Sequence, residues 1–125
     1  MRKLIVFIVG IVSISLIVYA QERTSKNWSV IDPGSGTTTI KVANVAQRIA
    51  LKHVLLTVQN ACNLYFGYGP DNDLTKLTGN LHFGANGGWD TTSGPALWLI
   101  TPAGQDLKVW FSNDPGSDML VETSE

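Results

Sequence analysis

From residue 37 onward, short apolar runs alternate with clusters of turn-forming residues. Within the runs, β-branched, aliphatic and aromatic residues recur at every second position. Turn compositions rich in glycine, proline and asparagine separate them at 60–63, 84–88, 102–104 and 113–116. This pattern predicts short strands joined by tight connections. The predicted strands are 37–42, 49–59, 64–68, 81–83, 96–101, 107–111 and 119–123.

Seven short strands at this spacing are typical of a single antiparallel β-sandwich or jelly-roll-like domain, so the fold class predicted for residues 37–125 is all-β. The longest run places Val54 and Leu56 on one side, and Leu51 and Leu55 on the other. A strand that is apolar on both sides belongs in the middle of a sheet. No amphipathic helix is evident after residue 20, although 43–50 is ambiguous. The predicted core consists of Val54, Leu56, Val58, Leu64, Phe66, Leu97, Leu99, Leu107 and Val109.

Residues 21–36 are polar and end in a run of aspartate, proline, glycine and serine. Such a composition indicates a turn or linker. Within it, residues 28–31 are apolar enough to form a short first strand or a plug against the domain. The sequence therefore divides into residues 1–20, a linker over 21–36 and a β domain over 37–125.

The first twenty residues carry a hydrophobic stretch that we predict to be helical. Arg2 and Lys3 precede an apolar run of 16 residues, 4–19, and Val18 and Ala20 occupy the small positions that a signal peptidase requires. A spanning helix needs about 20 apolar residues, so the run is short for a membrane anchor but long enough to remain a candidate. Both alternatives, a cleaved signal peptide and an anchor, leave residues 21–125 on the far side of the membrane. The predicted membrane segment comprises Leu4, Ile5, Val6, Phe7, Ile8, Val9, Ile11, Val12, Ile14, Leu16, Ile17 and Val18.

The charge of the chain bears on nucleic-acid binding, and its cysteine content bears on disulfide formation. The formal charge of the 125 residues is −1, and removing Arg2 and Lys3 with the first segment leaves seven basic against ten acidic residues. No basic cluster remains, so we expect no nucleic-acid partner. The single cysteine, Cys62, has no partner for an internal disulfide and is expected as a free thiol in a turn.

Catalytic and metal-binding motifs are sparse. His53 and His82 each lie alone in a predicted strand, without a spaced histidine, cysteine or carboxylate partner. The run 71–73 begins like a calcium loop, but Lys76 stands where the loop needs glycine and His82 where it needs a bidentate acid. We therefore predict no catalytic residue, no metal and no cofactor, and expect the chain not to be an enzyme.

Aromatic residues are the remaining candidates for function. Trp89, Trp110, Tyr65 and Tyr68 have polar or glycine neighbours and are the candidate interface residues, either as a platform for sugar rings or as a contact with a protein partner. Trp98 lies between apolar residues, and we expect it in the core instead.

A series of short motifs, in order, resembles small β-sandwich structural proteins of bacteriophage virions. The series begins with Arg48 and Leu51, continues through 55–60 (LLTVQN) and 64–67 (LYFG), and includes 81–88 (LHFGANGG) and 94–100 (GPALWLI). The segments 107–110 and 120–122 resemble the closing strands, so the likeness covers roughly residues 37–125.

The resemblance implies a virion building block, of capsid, vertex or spike type, that assembles with copies of itself and with other capsid or envelope proteins. Its expected location is the virion, associated with a membrane through residues 4–19. An export signal is unusual for such proteins, because capsids assemble in the cytoplasm. The alternative is an exported cell-envelope module, in the periplasm or at the cell surface, that recognises glycans or proteins through surface aromatics.

Overall fold

The computed structural model describes residues 27–124, which fold as strands and connecting loops without a helix. The predicted all-β class is confirmed for this part of the chain. The strands are β1 (Asn27–Ile31), β2 (Gly36–Lys41), β3 (Ala50–Thr57), β4 (Cys62–Tyr68), β5 (Thr75–Lys76), β6 (Leu81–Phe83), β7 (Gly88–Asp90), β8 (Leu99–Ile100), β9 (Leu107–Phe111) and β10 (Met119–Ser124).

The strands form two antiparallel sheets of five. One has the order β1-β10-β3-β7, with β8 also paired to β3, and is called the β1 sheet. The other has the order β2-β9-β4-β5, with β6 also paired to β4, and is called the β2 sheet. A single core of buried side chains from both sheets lies between them, so the arrangement is a β-sandwich.

Strand pairing is nested from the termini inward. The first strand pairs with the last, and β2 pairs with β9. Strand β3 pairs with β7 and β8, and β4 pairs with β5 and β6. The described chain is thus a long antiparallel ribbon that is folded over into two layers.

The core follows the predicted alternation closely. Seven of the nine predicted core residues are at most 2% exposed, and the other two, Leu97 and Leu99, are partly buried and pack against the same cluster. The buried cluster also contains Ile40, Ile49, Leu51, Phe111, Met119 and Val121. Cys62 opens β4 with its side chain buried, so the expectation of a turn thiol was wrong.

Strand β3 lies in the interior of its sheet, as predicted, but the prediction that Leu51 lies on the side opposite Val54 was wrong. Glu122 pairs with His53 and Thr123 with Leu51, so Lys52 is an extra residue in β3. Such a bulge reverses the alternation. Leu51 and Val54 therefore both point into the core, whereas Leu55 is 39% exposed on the outer face.

The structure adds strands that were not predicted, among them β5, and shortens the predicted strands 49–59 and 96–101. Residues 28–31 belong to β1, so the strand alternative for this segment is the one observed, and part of the expected linker is inside a sheet. Gly88, expected in a turn, begins β7. Of the predicted strand 96–101, only two residues form β8, and the ambiguous stretch 43–50 is a loop up to the first residue of β3.

The predicted helix, with its signal or anchor segment, lies outside residues 27–124. In that described range, no helix is long and apolar enough to cross a bilayer.

Candidate interaction surfaces

Two of the four candidate aromatics meet on the outer face of the β2 sheet. Tyr65 and Trp110 are direct cross-strand partners on β4 and β9. Their ring centroids are 5.0 Å apart and their planes differ by 22°, so the rings are stacked. The Lys76 ammonium lies 4.6 Å from the Tyr65 centroid, which is a cation–π contact. We call these three side chains the aromatic stack.

Polar groups surround the aromatic stack. His82 Nδ1 contacts Asn63 Oδ1 on the neighbouring strand pair. Lys108 Nζ donates to Gly69 O at 2.8 Å and lies 2.7 Å from Asp71 Oδ1. Asp71 therefore engages an ammonium group of its own chain, and the turn that begins like a calcium loop is fastened to the β2 sheet.

The other two candidates lie elsewhere. Trp89 pairs with the inward-facing Leu56, packs against the core, and its ring centroid is 6.3 Å from that of Phe66 on the opposite sheet. By strand alternation, Tyr68 shares the face of Phe66 and not that of Tyr65. The sequence could not separate these aromatics, because a polar or glycine neighbour says nothing about which face a ring occupies.

The expectation that Trp98 is a core residue was wrong. Its side chain is 56% exposed and its φ is +53°, a left-handed conformation that is uncommon for a bulky residue. Leu97 N–H donates to Lys52 O at 2.8 Å, and Leu99 pairs with Leu51, so the Trp98 turn lies opposite the bulge in β3. This geometry keeps both flanking leucines against the core and turns the indole outward.

A charged pair lies beside Trp98 on the outer face of the β1 sheet. Lys52 Nζ is 5.3 Å from the Trp98 centroid and 3.5 Å from Glu122 Oε1. The Glu122 side chain points to the outer face of the sheet and not to the core, but it is still almost fully buried. The bulge that displaces Lys52 thus places an ammonium between a carboxylate and an indole.

An apolar hollow lies further along the same outer face. Val30, Leu120 and Leu55 are cross-strand neighbours on β1, β10 and β3. With Thr57 and Asp118 they line an open hollow of about 330 Å³. Sequence patterns do not indicate this hollow, because Val30 lies in the expected linker and the neighbours of Leu55 depend on the strand order.

The remaining titratable candidates have structural partners. His53 Nδ1 lies 2.8 Å from Thr91 O, and Thr91 Oγ1 accepts from Val54 N–H at 2.9 Å, so Thr91 contacts the middle of β3 between the segments that pair with β7 and β8. The Thr92 hydroxyl and N–H donate to Asp90 and hold the pKa of its carboxyl below the usual value. Burial raises the pKa of the Cys62 thiol.

Within residues 27–124, no three histidine, cysteine or acidic side chains are grouped so that they could hold a metal ion.

Searches with this chain against protein-family models, curated proteins and solved structures find no match.

Proposed function

We propose that this chain is a non-enzymatic structural protein of a virion, a minor capsid, vertex or spike-type component that is membrane-anchored or exported. The observation that carries the proposal is the nested strand pairing, in which the first strand joins the last and each later pair lies inside the one before. This is the order expected of a jelly roll, an architecture used by viral capsid and lectin domains. The order of sequence motifs that resembles phage structural proteins supports the same class.

A fold alone does not define a function, so the surfaces have to support the proposal as well. The outer face of each sheet offers one contact surface: the aromatic stack on the β2 sheet and the apolar hollow on the β1 sheet. Aromatic side chains and exposed apolar patches are enriched at sites of protein association. Contacts on both faces suit a subunit that is packed between copies of itself and other particle proteins.

The second candidate is an exported envelope module that binds glycans. The aromatic stack favours it, because aromatic rings with polar neighbours such as Asn63 and His82 are typical of sugar-binding surfaces. Tyr65 and Trp110 already stack on each other, however, so at most one face of each ring is left for a sugar. This geometry favours protein contact through ring edges over sugar stacking.

Detection in particles is the first test of the proposal. Mass spectrometry of purified particles from the source organism should identify the chain and the residue at which its mature form begins. A start at Gln21 would indicate cleavage, and a start at Met1 an anchor. Recovery of the chain only from particle-free envelope fractions would support the second candidate and contradict the first.

Sedimentation of the full chain in detergent tests whether it assembles. We expect oligomers, and we expect Trp110→Ala to shift them to smaller species, because it removes one of the two rings of the aromatic stack. The stacked pair adds about 0.5–1.5 kcal/mol beyond the area that its rings bury. Trp110 lies on the outer face, so its removal leaves no cavity in the core and the fold should survive. Trp98→Ala, which removes an exposed tryptophan from the other sheet, is the matched control and should leave the sedimentation unchanged.

Two results would count against the assembly reading. If Trp110→Ala unfolds the chain, as judged by circular dichroism, Trp110 supports the fold and the interface lies elsewhere. Tyr65→Ser then tests the aromatic stack by removing its other ring. If the wild-type chain is monomeric and binds neither partner proteins nor glycans, the assembly proposal is wrong.

A further inference from the structure

The register of the β1 sheet shows at which end of the sandwich the described chain begins. Asn27 pairs with Thr123, Thr123 with Leu51, and Leu51 with Leu99. These four residues form one row across the sheet, close to the start of β3 and the end of β8. The chain therefore enters β1 at the end of the sandwich that carries loops 42–49 and 101–106, which we call the Asn27 end.

Four of the six large hydrophobic side chains that are exposed within residues 27–124 lie at this end. Val42 and Val45, in the loop between β2 and β3, are 66% and 96% exposed. Ile100 on β8 is 45% exposed, and Trp98 in the turn before β8 is 56% exposed. The two loops are fastened together, because Gly104 N–H donates to Gln47 O at 2.8 Å. The apolar side chains thus project from two loops that a hydrogen bond holds together.

Charge distinguishes the two ends. The loops of the opposite end, 32–35, 58–61, 84–87 and 112–118, contain three aspartates and neither lysine nor arginine. The Asn27 end carries both signs of charge. Lys41, Arg48 and Lys52 lie in or beside loops 42–49 and 101–106, whereas loop 69–74, which joins β4 to β5 at the same end, contains Asp71 and Asp73. Asp106 accepts a hydrogen bond from the Ala43 N–H at 2.8 Å, and Glu122 lies 3.5 Å from the Lys52 ammonium. An anionic surface would therefore repel the opposite end more strongly than the Asn27 end.

The length of chain before β1 limits how far this end can lie from a membrane. The predicted membrane segment ends at Tyr19, eight residues before Asn27. Even a fully extended chain of that length spans only about 28 Å. An anchored chain therefore keeps the Asn27 end within about 28 Å of the bilayer.

We propose that the Asn27 end is a membrane-contact surface that binds the anionic lipid bilayer in which residues 4–19 are anchored. This proposal rests on the anchored form of the proposed function. Val42 and Val45 enter the boundary between headgroups and acyl chains, and Trp98 lies at headgroup level beside Lys52, as interfacial tryptophans do. Exposed apolar tips flanked by basic residues combine the two terms that drive interfacial binding, apolar burial and attraction to anionic lipid. The contact fixes the orientation of the sandwich and leaves the aromatic stack and the apolar hollow open for assembly.

Site-specific labelling of the full chain in lipid nanodiscs tests this contact. Val45→Cys places an environment-sensitive fluorophore at the tip of loop 42–49. Ala85→Cys places the same fluorophore on an exposed turn at the opposite end and is the matched control. The native thiol of Cys62 is buried and leaves the introduced cysteine as the reactive one. The nanodiscs contain phosphatidylethanolamine and phosphatidylglycerol, with or without a nitroxide-labelled lipid as quencher.

The label at residue 45 is expected to show blue-shifted emission and to lose intensity when the nitroxide lipid is present. The label at residue 85 should show neither effect. Replacing Trp98 and Val42 together with serine should weaken the quenching at residue 45 while the chain remains in the nanodisc. Nanodiscs without phosphatidylglycerol should weaken it as well, because the basic residues then lose their partner.

Other outcomes overturn the proposal in distinguishable ways. If the chain elutes with the nanodisc but neither label is quenched, the anchor holds and the contact surface is refuted. The emission of the label at residue 45 could instead be blue-shifted without quenching by the nitroxide lipid, and the shift could depend on protein concentration. In that case the surface binds another copy of the chain. If the chain elutes free of the nanodisc, the anchored form of the proposed function fails together with this inference.

Discussion

At the scale of single residues, β3 separates buried from exposed leucines within one strand. Leu56 is 1% exposed in the core, whereas Leu55 points to the outer face of the β1 sheet. Leu56→Ala should lower the free energy of unfolding by about 2–5 kcal/mol, because it removes buried methyl groups and leaves a cavity. Leu55→Ala is the matched control and should cost about 1 kcal/mol. Urea unfolding of both variants measures the difference, and equal losses would contradict the assigned faces of β3.

The Cys62 thiol gives the fold a pH dependence of known sign. Burial raises the pKa of the thiol above its ordinary value of 9.0. The folded chain therefore keeps a proton that the unfolded chain releases, so this contribution to stability is present below that value and is lost as the pH rises through the folded pKa. We expect no reaction with a thiol reagent at pH 8 until the chain is unfolded.

The control for this pH effect is Cys62→Ala. The difference in free energy of unfolding between the wild type and this variant should shrink as the pH is raised past 9.0, because only the wild type has a buried thiol that can lose its proton. A native thiol that reacts at pH 8 as fast as a model thiol would contradict the burial of Cys62.

At the scale of elements, the short strand β5 depends on a glycine in β4. A Cβ atom at Gly67 would lie 2.5 Å from Thr75 O, whereas at Gly79 it would meet nothing within 4 Å. Gly67→Ala should push β5 away from β4 and cost about 1–3 kcal/mol, as overpacking does. Gly79→Ala is the matched control and should leave the midpoint of thermal unfolding unchanged or higher. Equal behaviour of the two variants would show that β5 does not pair closely with β4.

At the scale of the whole molecule, β10 holds the β1 sheet together. It pairs with β1 on one side and β3 on the other, and it contributes the buried Met119 and Val121. Its partners come from the beginning and middle of the described chain, so the contacts that close the fold are non-local and are expected to form slowly.

Truncation after Asp118 tests this role of β10. It removes the whole of β10 and leaves β1 and β3 without their shared partner, so we expect loss of the cooperative unfolding transition, measured by circular dichroism. Removal of Glu125 alone is the control and should leave the transition in place. A truncated chain that still unfolds cooperatively would contradict the nested pairing.

Local pattern alone predicted the all-β class, most strand positions and the inner face of the sandwich. Leu81–Phe83 and Leu107–Phe111 agree with the predicted strands residue for residue, and the central position of β3 followed from its two apolar sides. The physical reason is that side chains alternate between the two faces of a strand, so the sequence of each short segment indicates which of its side chains are buried.

The tertiary structure decided what depends on a partner strand. The bulge at Lys52 reversed the side of Leu51, and the left-handed turn opposite it brought Trp98 to the surface. The pairing of β4 with β9 joined Tyr65 to Trp110, and the pairing of β3 with β7 turned Trp89 towards the core. Hydrogen bonds between distant segments determine these features, and the period of a single strand does not encode its neighbours.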